Sequence, residues 1–170
     1  ALSGIARAPV SIAAAGRTEA GVHATAQIVH FDAPVLRPLT AWVRGANASL
    51  PPALAVLWAQ EVDDSFHARF AATARHYCYL LLNRPERPAL LAGRTGWYHH
   101  PLDVAAMDLA CTTVRGTHDF SAFRAAECQA RSPVKTVHRA TVTVQGPLVR
   151  FDFSADAFLH HMIRNLVGAL

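Results

Sequence analysis

The chain has 170 residues, 52% of them apolar and 16% charged, with a formal net charge of +4. That composition excludes a disordered chain, and the length suits one large or two small domains. No apolar run approaches the ~20 residues that span a bilayer and no basic-then-apolar leader is seen, so a membrane or exported protein is not expected.

Three irregularly spaced cysteines, Cys78, Cys111 and Cys128, suggest no disulfide framework and fit a reducing, cytoplasmic setting. Of sixteen basic residues only Lys135 is lysine. The planar Arg fork matches phosphate, although a genome-composition bias explains the same excess. A modest positive charge suits an anionic partner.

Leu2 to Arg7 reads as the tail of a helix. Val10 to Ala15 and Ala24 to Asp32 are strand candidates on either side of a loop at 16–24. Thr40 to Asn47 suits a short helix. Pro51-Pro52 breaks the chain before a third strand candidate, Ala55 to Val62. Arg75 to Leu82 opens another strand. Asp103 is a helix N-cap, Val104, Met107, Cys111 and Val114 keep helical spacing, and Gly116 is the stop. Val137 to Val144 and Val149 to Ala155 alternate and are joined as a hairpin by Gln145-Gly146-Pro147. Val149, Phe151, Phe153 and Ala155 share one face; Arg150, Asp152 and Ser154 share the other. Ala157 to Leu170 reads as helix. These elements make an α+β protein, an antiparallel sheet with helices on one face.

Residues 16–24 read Gly-Arg-Thr-Glu-Ala-Gly-Val-His-Ala. Further on come Phe66-His67-Ala68-Arg69-Phe70 with Ala72-Thr73-Ala74-Arg75 and Tyr77-x-Tyr79. Then follow His118-Asp119-Phe120-Ser121-Ala122-Phe123-Arg124 and Ala157-Phe158-Leu159-His160-His161-Met162-Ile163-Arg164-Asn165. In this order and spacing the four segments resemble the motifs of the TruA-type tRNA pseudouridine synthases. In that family the loop reads Gly-Arg-Thr-Asp-Ala-Gly-Val-His-Ala and its aspartate is catalytic; Glu19 stands there in this chain.

The resemblance implies two ferredoxin-like α/β halves with antiparallel sheets and an RNA cleft between them. The halves would be residues 1–66, carrying the catalytic loop, and residues 67–170. It also implies further family elements before Ala1 and after Leu170. The implied activity is isomerisation of uridine to pseudouridine in the anticodon stem-loop region of tRNA, in a cytoplasmic homodimer. No organic cofactor, metal, membrane or DNA partner is implied. The alternative is a relative that binds structured RNA with little or no chemistry, because of Glu19.

Pseudouridine formation needs a carboxylate beside C1′ and C2′ of the ribose, either to attack C1′ or to remove the C2′ proton. Glu19 supplies it on a side chain one methylene longer than Asp. By the resemblance Arg17 handles the flipped nucleotide, Tyr77 is the platform for its base, and Arg164 pairs with the catalytic carboxylate and keeps it ionised. Arg164 is a buried-charge candidate, placed with His160 off the apolar stripe of the last helix. Taken singly, these are also a solvated carboxylate, surface arginines and a core tyrosine. Tyr79 reads as structural. His23 either touches phosphate or caps the loop. Arg124 and Arg131 bracket a segment that either meets RNA or is solvated. His160 and His161, as neighbours on a helix, would not share a face, and no Cys/His spacing suggests zinc.

Overall fold

Alternating side chains at 148–155 organise the core of the larger of two units. The computed structural model describes residues 1–170. The first unit comprises Ala1–Glu19 and His23–Ala72, the second Ala20–Val22 and Thr73–Leu170.

The second unit is built on a five-stranded sheet. Its strands are β3 (Arg75–Asn83), β4 (Gly96–Tyr98), β5 (Gly116–Asp119), β6 (Val134–Gln145) and β7 (Leu148–Ala155), in the order β4-β3-β7-β6-β5. On β7, Val149, Phe151, Phe153 and Ala155 are all buried, while Arg150 and Asp152 form an ion pair at 2.8 Å. Burying a large apolar side chain contributes ~1.5–3 kcal/mol, so this alternation fixes which face meets the helices. Gln145 pairs with Leu148 across a two-residue turn. Gly146 takes φ 56°, which Pro147 cannot, and glycine first is the type II′ choice that suits a twisted hairpin.

Val137 is buried, and so are Ala140 and Val142, positions of opposite parity. A bulge reconciles them. Val137 pairs with Ala155 but Arg139 pairs with Ser154, leaving His138 as the extra residue. One inserted residue shifts the side-chain period and returns the strand's apolar set to the core.

The sheet is mixed, where an antiparallel one was expected. β4 runs parallel to β3, pairing Leu81 with Gly96 and Asn83 with Tyr98. A parallel pair needs a return crossover, and residues 84–95 supply one without a helix. Helix α3 (Val104–Val114) and helix α4 (Met162–Ala169) share one apolar core with the sheet through Met107, Cys111, Met162 and Leu166. Asp103 caps α3, its carboxylate accepting the Ala106 N–H at 3.0 Å.

In the first unit, helices α1 (Leu2–Ala6) and α2 (Leu39–Ser49) pack together beside a short antiparallel ladder of β1 (Ala13–Ala14) and β2 (Val29–His30). Both expected strands shrink to these two-residue pairs. Trp42 and Ala46 are buried, and Phe31 meets the Trp42 ring edge-on. The expected strand at 55–62 is not one. Its backbone joins no ladder, and the Asn47 side chain takes both polar groups of Val56, at 2.7 and 2.9 Å. Leu57, Trp58 and Val62 stay exposed, so apolar composition without a pairing partner leaves extended coil. His30 Nδ1 accepts the Ala68 N–H at 3.1 Å and holds the 66–72 segment to this unit.

No helix is long and apolar enough to cross a membrane.

Candidate active site

The loop of the first motif leaves β1 in a fixed way. The Ala15 N–H donates to the Ile28 carbonyl at 2.9 Å, and the Gln27 amide donates to the Gly16 carbonyl at 2.7 Å. These bonds clamp the loop where it begins. Gly21 takes φ 81°, a conformation that a side chain disfavours. Along this loop Arg17 and His23 are exposed and Glu19 is half-buried. A half-buried carboxylate on a clamped loop is suited to nucleophilic or general-base work, which needs a fixed acid.

The second unit holds the other residues. Tyr77 sits on β3 opposite Phe153, 37% exposed, with its ring edge-on to Phe158 at 5.0 Å between centroids. Part of the ring is therefore accessible, as a base-stacking platform requires. Tyr79 is half-buried, edge-on to Phe151, and packs against Gly96.

The last motif departs from expectation at its start. The helix begins at Met162 and not at Ala157, because His161 takes a left-handed conformation, φ 61°. His160 thus lies before the helix and shares no helical face with Arg164. The His160 and His161 rings, expected to diverge as helix neighbours, stack instead with centroids 4.0 Å apart. Arg164 is exposed rather than buried; Met162 and Leu166 take the buried positions of α4.

Sequence reading missed Asp156, which directly follows β7. Its Oδ1 accepts the N–H of Thr136 at 3.1 Å and of Ala157 at 2.6 Å. Its own N–H donates to the Thr136 carbonyl at 3.1 Å, and its carbonyl accepts from Arg75 Nη1 at 3.0 Å. No spacing pattern marks it; the only signal is a carboxylate directly after a strand. The turn that follows is tied at two more places and the first turn of α4 at one. The His160 N–H donates to Cys128 Sγ at 3.3 Å, the His160 carbonyl accepts from Ala125 N–H at 3.1 Å, and the Asn165 amide donates to the Phe123 carbonyl at 3.0 Å.

Arg124 is half-buried and donates to the carbonyls of Cys128 and Ala130, at 2.5 and 3.0 Å, so it shapes the 124–130 segment. Arg131 is exposed. Burial pushes the Cys128 thiol up, but the His160 and Ala130 N–H groups and the Arg124 guanidinium outweigh it. The net position is below the ordinary thiol value. Cys78, Cys111 and Cys128 are free thiols.

Comparison with known proteins bears on what these residues serve. Residues 110–170 match the family model described as tRNA pseudouridine synthase. The tRNA pseudouridine synthase A of Dechloromonas aromatica is 62% identical over 170 residues, all of this chain and 65% of that protein. The tRNA pseudouridine synthase A of Thiobacillus denitrificans is 61% identical over the same span and share. That of Chromobacterium violaceum is 62% identical over 157 residues, 92% of this chain and 60% of its own length. The chain spans about 65% of the length of the curated relatives it matches end to end, and identity of this size throughout means that it belongs to the TruA-type tRNA pseudouridine synthase family.

Proposed function

We propose that this chain serves the isomerisation of uridine to pseudouridine in tRNA, in the anticodon stem-loop region. The observation that carries the reading is 61–62% identity over the whole chain to proteins named tRNA pseudouridine synthase A. The reaction breaks the N1–C1′ bond, turns the uracil, and forms a C5–C1′ bond; the hydrogen leaves C5 and N1 ends protonated. In this reading the Glu19 carboxylate either attacks C1′ or takes the C2′ proton. Arg17 handles the flipped nucleotide, Tyr77 stacks on its base, and Arg164 favours the ionised form of the acid. His23 and Arg131 contact the RNA backbone, and Arg124 shapes the segment that presents Arg131. The setting is a cytoplasmic homodimer of two ferredoxin-like halves with the RNA in a cleft between them.

A second reading has one specific feature in its favour. Glu19 sits where the family motif has Asp, and a misplacement of ~1 Å can cost on the order of 10²-fold in rate. A protein so altered would bind structured RNA and do little chemistry.

Tritium release from tRNA labelled at uridine C5 separates the two. The assay is run in a protein with the relatives' full length, under single-turnover conditions. The first reading expects measurable release with Glu19, none with Glu19→Gln, and a rise on the order of 10²-fold with Glu19→Asp, from positioning alone. RNA affinity should stay level, since the gain belongs to the transition state. Release by Glu19→Asp with none by the Glu19 protein would establish the binding reading. Release unaffected by Glu19→Gln would remove the carboxylate from the mechanism.

A further inference from the structure

Six residues, 156–161, join β7 to α4. On one side of them stands Tyr77 with its ring against Phe158, and on the other Arg164. We propose that Asp156 is a positioning residue that holds Tyr77 and Arg164 in fixed relation to each other. The assignment of those two side chains to a reaction rests on the function proposed above; the linkage itself does not.

In a hydrogen-bonded antiparallel pair, two residues exchange both N–H···O=C bonds. Thr136 and Asp156 complete only half of that exchange, from Asp156 N–H to the Thr136 carbonyl. The other half is taken over by the Asp156 side chain, whose Oδ1 receives the Thr136 N–H in place of the carbonyl. The carbonyl is thereby turned to the Arg75 guanidinium. The same Oδ1 also takes the Ala157 N–H, which turns the chain out of the sheet.

The geometry has a consequence for both neighbours. Arg75 and Tyr77 are two apart on β3 and share a face. Asp156 and Phe158 are two apart in the turn. Arg75 holds Asp156 while Tyr77 meets Phe158, so the start of β3 is stapled to the turn at two successive points. The turn then runs directly into the His160 bonds with Ala125 and Cys128 and into the first turn of α4. Without the carboxylate, the Asp156 carbonyl is the remaining acceptor for Thr136 N–H. Taking it would pull the carbonyl from Arg75, shift Phe158 under Tyr77, and re-aim the start of α4.

The test compares Asp156→Ala with Asp156→Asn, whose amide oxygen still accepts both N–H groups. In the free protein, NMR signals of the Tyr77 ring and the Arg164 Nε–H should both move in Asp156→Ala and stay in place in Asp156→Asn. In the tritium assay, single-turnover rate should fall roughly 10–100-fold in Asp156→Ala, with tRNA affinity little changed, and return close to the parent value in Asp156→Asn. A residue that merely supported stability would lower the unfolding midpoint and leave the rate ratio unmoved below it. If Asp156→Ala does not fold, Asp156→Ser, which keeps an acceptor for Ala157 N–H alone, should give the same displacements at smaller amplitude. Unmoved Tyr77 and Arg164 signals in the Ala or Ser variant would overturn the linkage whatever the activity. An Asp156→Asn protein as slow as Asp156→Ala would overturn it too, since charge and not acceptor geometry would then matter. If the parent protein makes no pseudouridine, the functional reading fails while the NMR comparison still decides the linkage.

Discussion

Asp119 shows how one carboxylate in a motif can have a purely local task. It sits at the end of β5, where its Oδ1 accepts the Ser121 N–H at 2.8 Å and starts the short 3₁₀ turn at Ser121–Phe123. Hydrogen bonds from the Ser121 hydroxyl and N–H hold its carboxyl below the usual aspartate value. A group lowered in the folded state binds its proton first in the unfolded chain. Its stabilising effect is therefore complete above the ordinary aspartate range, about pH 4, and is lost as pH falls through the lowered value. Asp119→Asn should flatten the acid limb of the stability curve, read by urea unfolding at stepped pH. An acid limb identical in parent and variant would mean that the Ser121 bonds add nothing to linkage.

At the scale of elements, the close contact between β3 and β4 carries the sharpest expectation. A methyl group on Gly96 would lie 2.7 Å from the Tyr79 hydroxyl and 3.0 Å from Leu81 Cδ1. Gly96→Ala should therefore cost about 1–3 kcal/mol, the range for overpacking. It should appear as a lower urea midpoint with an unchanged slope. Tyr79→Phe removes the nearer atom, so in the double variant part of that loss should return. Equal midpoints for parent and Gly96→Ala would show that β4 yields freely. Legibility follows the same division between local and distant causes. The β6–β7 hairpin and the capped α3 could be read in the sequence because Gly146, Asp103 and the alternation on β7 act on their immediate neighbours. β4 could not: it is three residues long and exists only because Leu81–Asn83 lie beside it. Segment 55–62 misled for the converse reason, having strand composition and no partner. The start of α4 was hidden by a left-handed histidine, a conformation uncommon outside glycine even though histidine adopts it more often than most residues. Of the residues proposed for the site, Glu19, Arg17, Tyr77 and Arg164 were named by motif. Asp156 was not, since its work is backbone bonding at a strand end.

For the molecule as a whole, the net charge of +4 sets an expectation about its ligand. Phosphate contacts release counterions, so tRNA affinity should fall linearly on a log–log plot as salt rises. Removing one phosphate contact should lessen the slope by roughly 0.7–0.9, and exposed Arg131 is the position at which to look. Arg131→Ala should weaken every tRNA alike, measured by filter binding across a salt series. Binding indifferent to salt between low and physiological ionic strength would argue against an electrostatic RNA surface.

The pairing of β3 with β7 has a consequence during synthesis. Asn83 ends one strand and Leu148 begins the other, a separation of 65 residues. At roughly 5–20 residues per second, a ribosome takes on the order of 3–13 s to cover that distance. For those seconds the Leu80-Leu81-Leu82 run has left the ribosome's active centre and has no β7 to cover it. The hairpin of β6 and β7, once made, can close in about 1–10 μs. The waiting time for this sheet is thus set by translation, and the nascent chain between residues 83 and 148 is the interval in which a chaperone has most to protect.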